Sequence, residues 1–507
     1  MKKVLVINLT RFGDILQSQP LLSLVAQEND LALCCLEYFI NTTEFLTSVD
    51  TVFSFPGTDV LRYLDQGHWQ KGLNVLLNFV NQIKSEFNPD EIINLTPSLP
   101  ARLFTLFFPE TEKKGFFLDK LGFAMYSNDW AAFLQAASSF RELSPLNLVD
   151  LNLGLVDPKR AQKVKFVLKN PDITNVFYWQ KQLRSKVKGQ DFIGFQLGAS
   201  AEKRRWPVEY FVRLGEKCYS ELKLVPVLLG SKHEIVLGQK FERLANFPVL
   251  NLIGKTSLKD LACILKLVKY LVTNDTGTMH LAAGLGTKII AIFLATAQAW
   301  DTGPYLESCL CLEPNMDCHP CSFQTKCKNN FTCRFKVLPE YVFQCIKNYN
   351  LDKINTSDIR LYRVGFKKNL YFLQKLSIND NRYEFMRFSQ DIYYNFIIDN
   401  NDYDLDLLKI DINFKEEIDI LSSYFLVFLE NLKTLNVNIN FRKMRNNKII
   451  FFYNKINSFL MKSKFFVPLY YLWLVHSQQY ANDLEGLLKV SARYFNFFNN
   501  LLRRCGN

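Results

Sequence analysis

The chain has 507 residues, 48% hydrophobic and 22% charged, which supports two or three cored domains and excludes disorder on a large scale. A formal net charge of +12 suits an anionic partner (nucleic acid, a membrane surface or a phosphorylated ligand) without choosing among them. No stretch approaches a membrane span, and the apolar run before Thr10 and Arg11 is too short for a secretion signal, so a cytoplasmic protein with reduced thiols is expected.

Residues 4–9, VLVINL, are apolar without alternation, the pattern of a strand buried on both faces of a parallel sheet. The turn that follows places Asp14 at that strand's carboxyl end, where ligands collect in open α/β sheets. As a first-turn acid, Asp14 would also be favoured by the helix dipole. The motif G-x-G-x-x-G is absent here, so a dinucleotide site is not expected. Strands are predicted at 31–36, 51–55 and 91–95, with a helix over 73–87. This alternation implies a doubly wound α/β domain over residues 1–175. The loop 95–102 either touches a ligand or only connects.

Residues 147–188 read as a partly helical linker ending in a basic run. The strand–helix pattern then restarts and defines a second α/β domain over 189–347. A strand at 192–196 leads to Gly198, Ser200, Lys203, Arg204 and Trp206, with Pro207 opening a helix. Cations beside exposed backbone N–H groups suit a diphosphate; a solvated basic patch is the plainer alternative. The turn after a strand at 225–229 carries Glu234, a ligand-side or a surface acid. After 250–253 come Thr256 and Ser257, which line a pocket or cap the next helix.

Residues 269–286, KYLVTNDTGTMHLAAGLG, concentrate the signal. A buried strand over 270–273 runs into a turn, and a helix starts near Thr278. Asp275 and Thr276 are expected to cap it, Gly277 allows close backbone approach, and His280 lies one turn in, facing the same mouth. Free N–H groups and the helix dipole converge there, and an anion fits. A last strand is predicted at 288–293.

Cys318, Cys321, Cys327 and Cys333 follow, with His319 among them. In a reducing compartment this density is compatible with a structural zinc, an iron–sulfur cluster or free thiols. From about residue 349 the composition shifts toward Asn, Phe, Tyr, Ile and Lys. Helical apolar spacing at 418–432 and 451–466 predicts a mainly helical accessory extension over 348–507. Interleaved aromatics and cations at 462–471 and 493–504 suit either a peripheral membrane or anionic glycolipid contact, or a core with a solvated face.

Taken together, DTGTMHLAAGLG resembles the D-[ST]-G-x-x-H-[LI]-A-A segment of glycosyltransferase family 9, the ADP-heptose:lipopolysaccharide heptosyltransferases. RFGDILQSQPLL resembles that family's opening segment, residues 198–207 its K-[RH]-W-P segment, 254–258 its G-x-[TS]-[ST]-L turn and 318–321 its C-x-P-C segment. The resemblance spans about residues 1–347. It implies a GT-B fold, two facing Rossmann-like domains, and an inverting, metal-independent transfer of heptose from ADP-heptose to the lipid A–core oligosaccharide. Asp14 would be the base, and Ser200, Lys203, Arg204, Glu234, Thr256, Asp275, Thr276, Gly277 and His280 would hold the donor. No cofactor is required in that reading, a zinc at the cysteines would be structural only, and no nucleic acid is expected. An inactive glycan-binding scaffold and a zinc-dependent nucleic-acid binder are the alternatives.

Overall fold

A computed structural model describes residues 1–187, 190–323, 325–378, 380–398, 412–435, 442–463 and 465–505. Lys188, closing the basic run of the linker, and Lys464, in the aromatic–basic segment of the tail, lie outside the described residues. The chain forms two compact units, Met1–Phe117 with Leu146–Asp380, and Leu118–Pro145 with Asn381–Asn507.

The larger unit holds two sheets. In the first, β1 (Lys3–Asn8), β2 (Asp30–Leu36), β3 (Thr51–Phe55), β4 (Glu91–Asn94) and β5 (Glu112–Leu118) run in the order β3-β2-β1-β4-β5, all neighbours parallel. Val4 to Ile7 are fully buried, as their unbroken apolar run requires. Leu5, Ile7, Ala32, Phe53, Phe79 and Phe104 share one core, each large side chain contributing about 1.5–3 kcal/mol by burial. The covering helix, Trp69–Glu86, buries Phe79, Val80 and Ile83. It starts four residues before the position read from sequence, because its exposed first turn adds nothing to the apolar pattern. A short strand, β6 (Ala124–Tyr126), lies in the second unit's share of the chain.

The second sheet comprises β7 (Asp191–Gln196), β8 (Leu224–Leu229), β9 (Leu250–Asn251), β10 (Val268–Asn274), β11 (Ile289–Ile292), β12 (Leu310–Pro314), β13 (Ile359–Lys367) and β14 (Leu370–Lys375). Their order is β14-β13-β12-β11-β10-β7-β8-β9, parallel from β9 to β12 and antiparallel from β12 to β14. Phe195, Trp206, Phe211, Leu228, Val272, Ile290 and Leu312 fill its core. This sheet runs past Lys347 into the stretch read as helical extension. The hairpin responsible turns on Lys368 and Asn369, both at positive φ (50° and 61°), the backbone of a tight primed turn. Lys-Asn lacks the Gly that advertises such turns in sequence.

Both sheets change winding direction once, between β1 and β4 and between β7 and β10. At such points the loops leaving adjacent strands diverge and open a crevice at the strands' carboxyl ends. The loops after Asn8 and after Gln196 and Asn274 are therefore the places where this topology leaves room for a ligand.

The second unit is mainly helical, as expected for the tail: Asp129–Ala137, Asn381–Ile397, Ile412–Thr434, Arg442–Lys462, Val467–Gln479 and Leu484–Cys505. Phe425, Trp473, Tyr494 and Phe498, all buried, make its aromatic centre. The helix predicted through residue 466 ends at Lys462. The Ser463 hydroxyl there accepts the N–H groups of Phe465 and Phe466, and Pro468 opens the next helix. No helix among the described residues is long and apolar enough to cross a membrane.

Candidate functional site

Asn274, at the end of β10, organises the crevice of the second sheet. Its side-chain amide donates to the carbonyls of Leu197 and Gly198 at 3.1 and 3.0 Å, and its Oδ1 accepts the Trp206 N–H at 2.9 Å. These bonds clamp the loop leaving β7 to the end of β10. Sequence reasoning placed Asn274 in the turn and cap before the helix but gave it no role in holding the other loop; its signal was a strand-end amide immediately before Asp275-Thr276-Gly277.

The clamped loop carries Ser200, Lys203 and Arg204. Arg204 pairs through Nη2 with the Asp275 carboxylate and donates from Nη1 to Ser200 Oγ at 3.1 Å. Its Nε is buried without a partner. The expectation that Asp275 caps the following helix is corrected here: its carboxylate is committed to the guanidinium, a stronger partner than a backbone N–H. Thr276 stands at the N-cap of the helix Gly277–Gly284 in extended conformation, but its hydroxyl makes no capping bond and lies 3.3 Å from the Thr273 hydroxyl. The first helical turn is thus left open to an anion.

His280 is buried, and its Nδ1 also lacks a hydrogen-bond partner. Burial lowers its pKa to about 4 despite the opposing charge of Asp275, so the imidazole is neutral at neutral pH. Buried polar atoms are almost always paired in folded proteins. Arg204 Nε, in the loop after β7, and His280 Nδ1, in the helix after β10, are two such unpaired nitrogens.

Asp14 enters from the first sheet. Its helix, Phe12–Gln17, packs on the helix Gly277–Gly284. A Cβ added to Gly13 would lie 3.1 Å from His280 Cδ2 and 3.3 Å from the Gly277 Cα, and one added to Gly277 would lie 2.2 Å from Phe12 Cδ1. Glycine is therefore needed at 277 for this approach, and a side chain at 13 would make it tight. Asp14, half-buried, follows Gly13 directly, and its Oδ2 accepts the Arg11 N–H in a long bond of 3.4 Å. The crevices of the two sheets thus meet where these two helices pack.

Glu234 is not a surface acid. Its Oε2 accepts the Ser231 N–H at 2.6 Å and hydroxyl at 3.0 Å, while Oε1 lies against Gly198, where a Cβ would come within 1.2 Å of it. Gln196 bridges this carboxylate to Thr278, donating to Glu234 at 3.5 Å and accepting at 3.1 Å. Thr256 is half-buried in the turn after β9, which the Gly254 N–H ties to the Gly230 carbonyl at 3.0 Å. Of the pair Thr256 and Ser257, Ser257 is the cap, exchanging bonds with Asp260 at the start of the helix Leu258–Leu267. Lys203 is half-buried, and its positive charge acts on the Cys321 thiol.

Cys318 and Cys327 are exposed, Cys321 is half-buried, Cys333 is buried, and all four are free thiols. Burial pushes the Cys321 thiol up to about 11, with further increments from Cys333, Cys318 and Cys327, so the four sulfurs lie within electrostatic reach of one another. Among the described residues no group of three or more His, Cys, Asp or Glu side chains is arranged to hold a metal ion. His319 turns inward, its carbonyl accepting from Arg360 Nη1 at 3.1 Å and its Nδ1 lying 3.9 Å from Glu313.

Residues 134–331 match the model of glycosyltransferase family 9 (heptosyltransferase). The chain is 27% identical over 164 residues to lipooligosaccharide heptosyltransferase 2 of Campylobacter jejuni, covering 32% of this chain and 51% of that protein. It is 33% identical over 111 residues to lipooligosaccharide heptosyltransferase 2 of Haemophilus influenzae, covering 21% and 32% respectively. The matched region thus spans about half the length of the first of these relatives and a third of the second. In fold, it is similar to the glycosyl transferase family 9 protein of Veillonella parvula, with a TM-score of 0.54 at 17% identity over 68% of this chain and 96% of the other.

Proposed function

We propose that this chain, whose residues 134–331 match the model of glycosyltransferase family 9, is an inverting glycosyltransferase that uses no metal. The observation that carries the reading is the pair of unpartnered buried nitrogens, Arg204 Nε and His280 Nδ1, at the strand ends of the second sheet and beside the helix that bears Asp14. The donor is ADP-heptose and the acceptor a hydroxyl of the lipid A–core oligosaccharide. The enzyme works at the cytoplasmic face of the inner membrane, peripherally bound.

The donor diphosphate sits at the open N-terminus of the helix Gly277–Gly284. Arg204 and Lys203 supply positive potential, and Thr276, Ser200 and the neutral His280 supply hydrogen bonds. Asp275 touches no phosphate oxygen, since like charges repel; it orients Arg204. Glu234 and Thr256 line the nucleoside end. A sugar hydroxyl is a weak nucleophile at neutral pH, so Asp14 accepts its proton as the oxygen attacks the anomeric carbon from the face opposite the diphosphate. The new C–O bond forms as the anomeric carbon–phosphate oxygen bond breaks, and ADP leaves with that electron pair. Fixed donors around the diphosphate stabilise the departing charge.

The test is transfer from ADP-heptose to heptose-deficient lipid A–core, read by mass spectrometry. Asp14→Ala should reduce turnover by a factor of about 100 or more while calorimetry shows ADP binding within about threefold of the parent. Undiminished turnover in Asp14→Ala removes Asp14 from its role, and the absence of any binding of ADP or other nucleoside diphosphates by the parent removes the donor site.

A further inference from the structure

The helical unit contains a cavity of about 450 Å³, within the range of small-molecule sites. It is formed wholly by residues 126–129 and 476–493. It holds a polar relay in which His476 and Tyr494 are buried and Asp129 and Arg493 half-buried. Asp129, in the first turn of the helix Asp129–Ala137, accepts from His476 Nε2 at 3.2 Å and pairs with Arg493 Nη1. The other imidazole nitrogen of His476 lies 3.2 Å from the Tyr494 hydroxyl. Three helices thus place charged and polar side chains at one point, and a guanidinium fixed to the carbonyls of Phe396 and Ile397 holds the point rigid.

The wall is equally specified. Tyr480 lies flat enough on the next helix that a Cβ at Gly486 would meet its Cδ1 at 2.3 Å and the Asp483 carboxylate at 2.5 Å. Only glycine permits this placement, which sets an aromatic ring beside an exposed carboxylate at the opening. Lys489 stands at the same rim, paired with Glu485 at 2.7 Å.

This lining narrows the ligand. Asp129, Asp483 and Glu485 would repel a phosphate or nucleotide, while Lys489 and Arg493 would repel a simple cation. A neutral polyol uses both signs at once, because each hydroxyl donates to a carboxylate and accepts from an ammonium or guanidinium. The ring of Tyr480 offers an apolar face to the C–H side of a pyranose. We propose that this cavity is a saccharide-binding site, separate from the donor crevice and independent of whether that crevice binds a nucleotide.

The test uses the full chain and saturation-transfer NMR with four probes: methyl α-glucoside, methyl α-mannoside, N-acetylglucosamine and lactose. The expected result is transfer to the ring protons of at least one probe, weakened at least tenfold in both Tyr480→Ala and Lys489→Ala. Lys489 is exposed, so its replacement leaves folding intact and guards against a result caused by unfolding. Absence of transfer from all four probes overturns the proposal. Transfer that persists in both variants, as sugar bound in the donor crevice would give, also overturns it. Titration of ADP into the same variants reads the donor site separately and should show no change.

Discussion

Replacing Gly277 by Ala tests the meeting of the two crevices directly, because the structure predicts a sign opposite to that of local propensity. In an unobstructed helix, Ala in place of Gly stabilises by about 0.5–1 kcal/mol. Here the new methyl would lie 2.2 Å from Phe12 Cδ1 and 2.8 Å from its Cε1, far inside van der Waals contact. Overpacking of this kind costs about 1–3 kcal/mol, or a melting point lower by roughly 2–12 °C at about 2–4 °C per kcal/mol. Phe12 is half-buried, so Phe12→Ala alone should cost little, and Phe12→Ala/Gly277→Ala should recover at least half of the loss. Calorimetric melting of the four proteins gives the coupling between the two residues. The same push moves the helix that carries Asp14, so sugar transfer should fall more than ADP affinity. If Gly277→Ala melts at or above the parent temperature, or shows no coupling to Phe12, the approach of the two helices is refuted, and with it a shared crevice.

The protonation of His280 gives stability a pH dependence. Burial lowers its folded pKa from 6.5 to about 4, so below pH 6.5 the unfolded chain binds a proton that the folded chain refuses. Stability should therefore fall as pH drops from about 6.5 to 4, by at most about 3 kcal/mol, and His280→Gln should flatten that limb in thermal melts. Arg204→Lys keeps the charge but cannot serve Asp275 and Ser200 together; ADP affinity by calorimetry should weaken by about tenfold or more, and unchanged affinity would assign the phosphate to Lys203. Exhaustive chelation should leave sugar transfer unaltered, and a loss reversed by added metal would contradict metal-free chemistry.

Much of this molecule was legible locally. The apolar runs at 4–7, 225–229 and 289–293 read as strands buried on both faces. The turns carrying Asp14, Arg204 and His280 were recognisable because the chemistry of a strand-to-helix turn sits within a few consecutive residues. Side-chain commitments were less legible, since they depend on neighbours distant in sequence. Asp275 looked like a cap until Arg204, 71 residues away, claimed its carboxylate, and Asn274 acquired its role only through two loop carbonyls and one N–H.

By itself the sequence determined the class of the two sheets, the strand ends at which a ligand would collect and the helical character of most of the tail, because periodicity and turn chemistry act over a few residues. Only the tertiary structure decided that the hairpin β13–β14 completes the second sheet and that residues 118–145 join the C-terminal helices in one unit. It alone seated Gly13 and Gly277 back to back and gathered Asp129, His476 and Arg493 around a cavity. Those outcomes depend on which surfaces meet across tens to hundreds of residues, and a contact of that kind leaves no periodic trace in either segment.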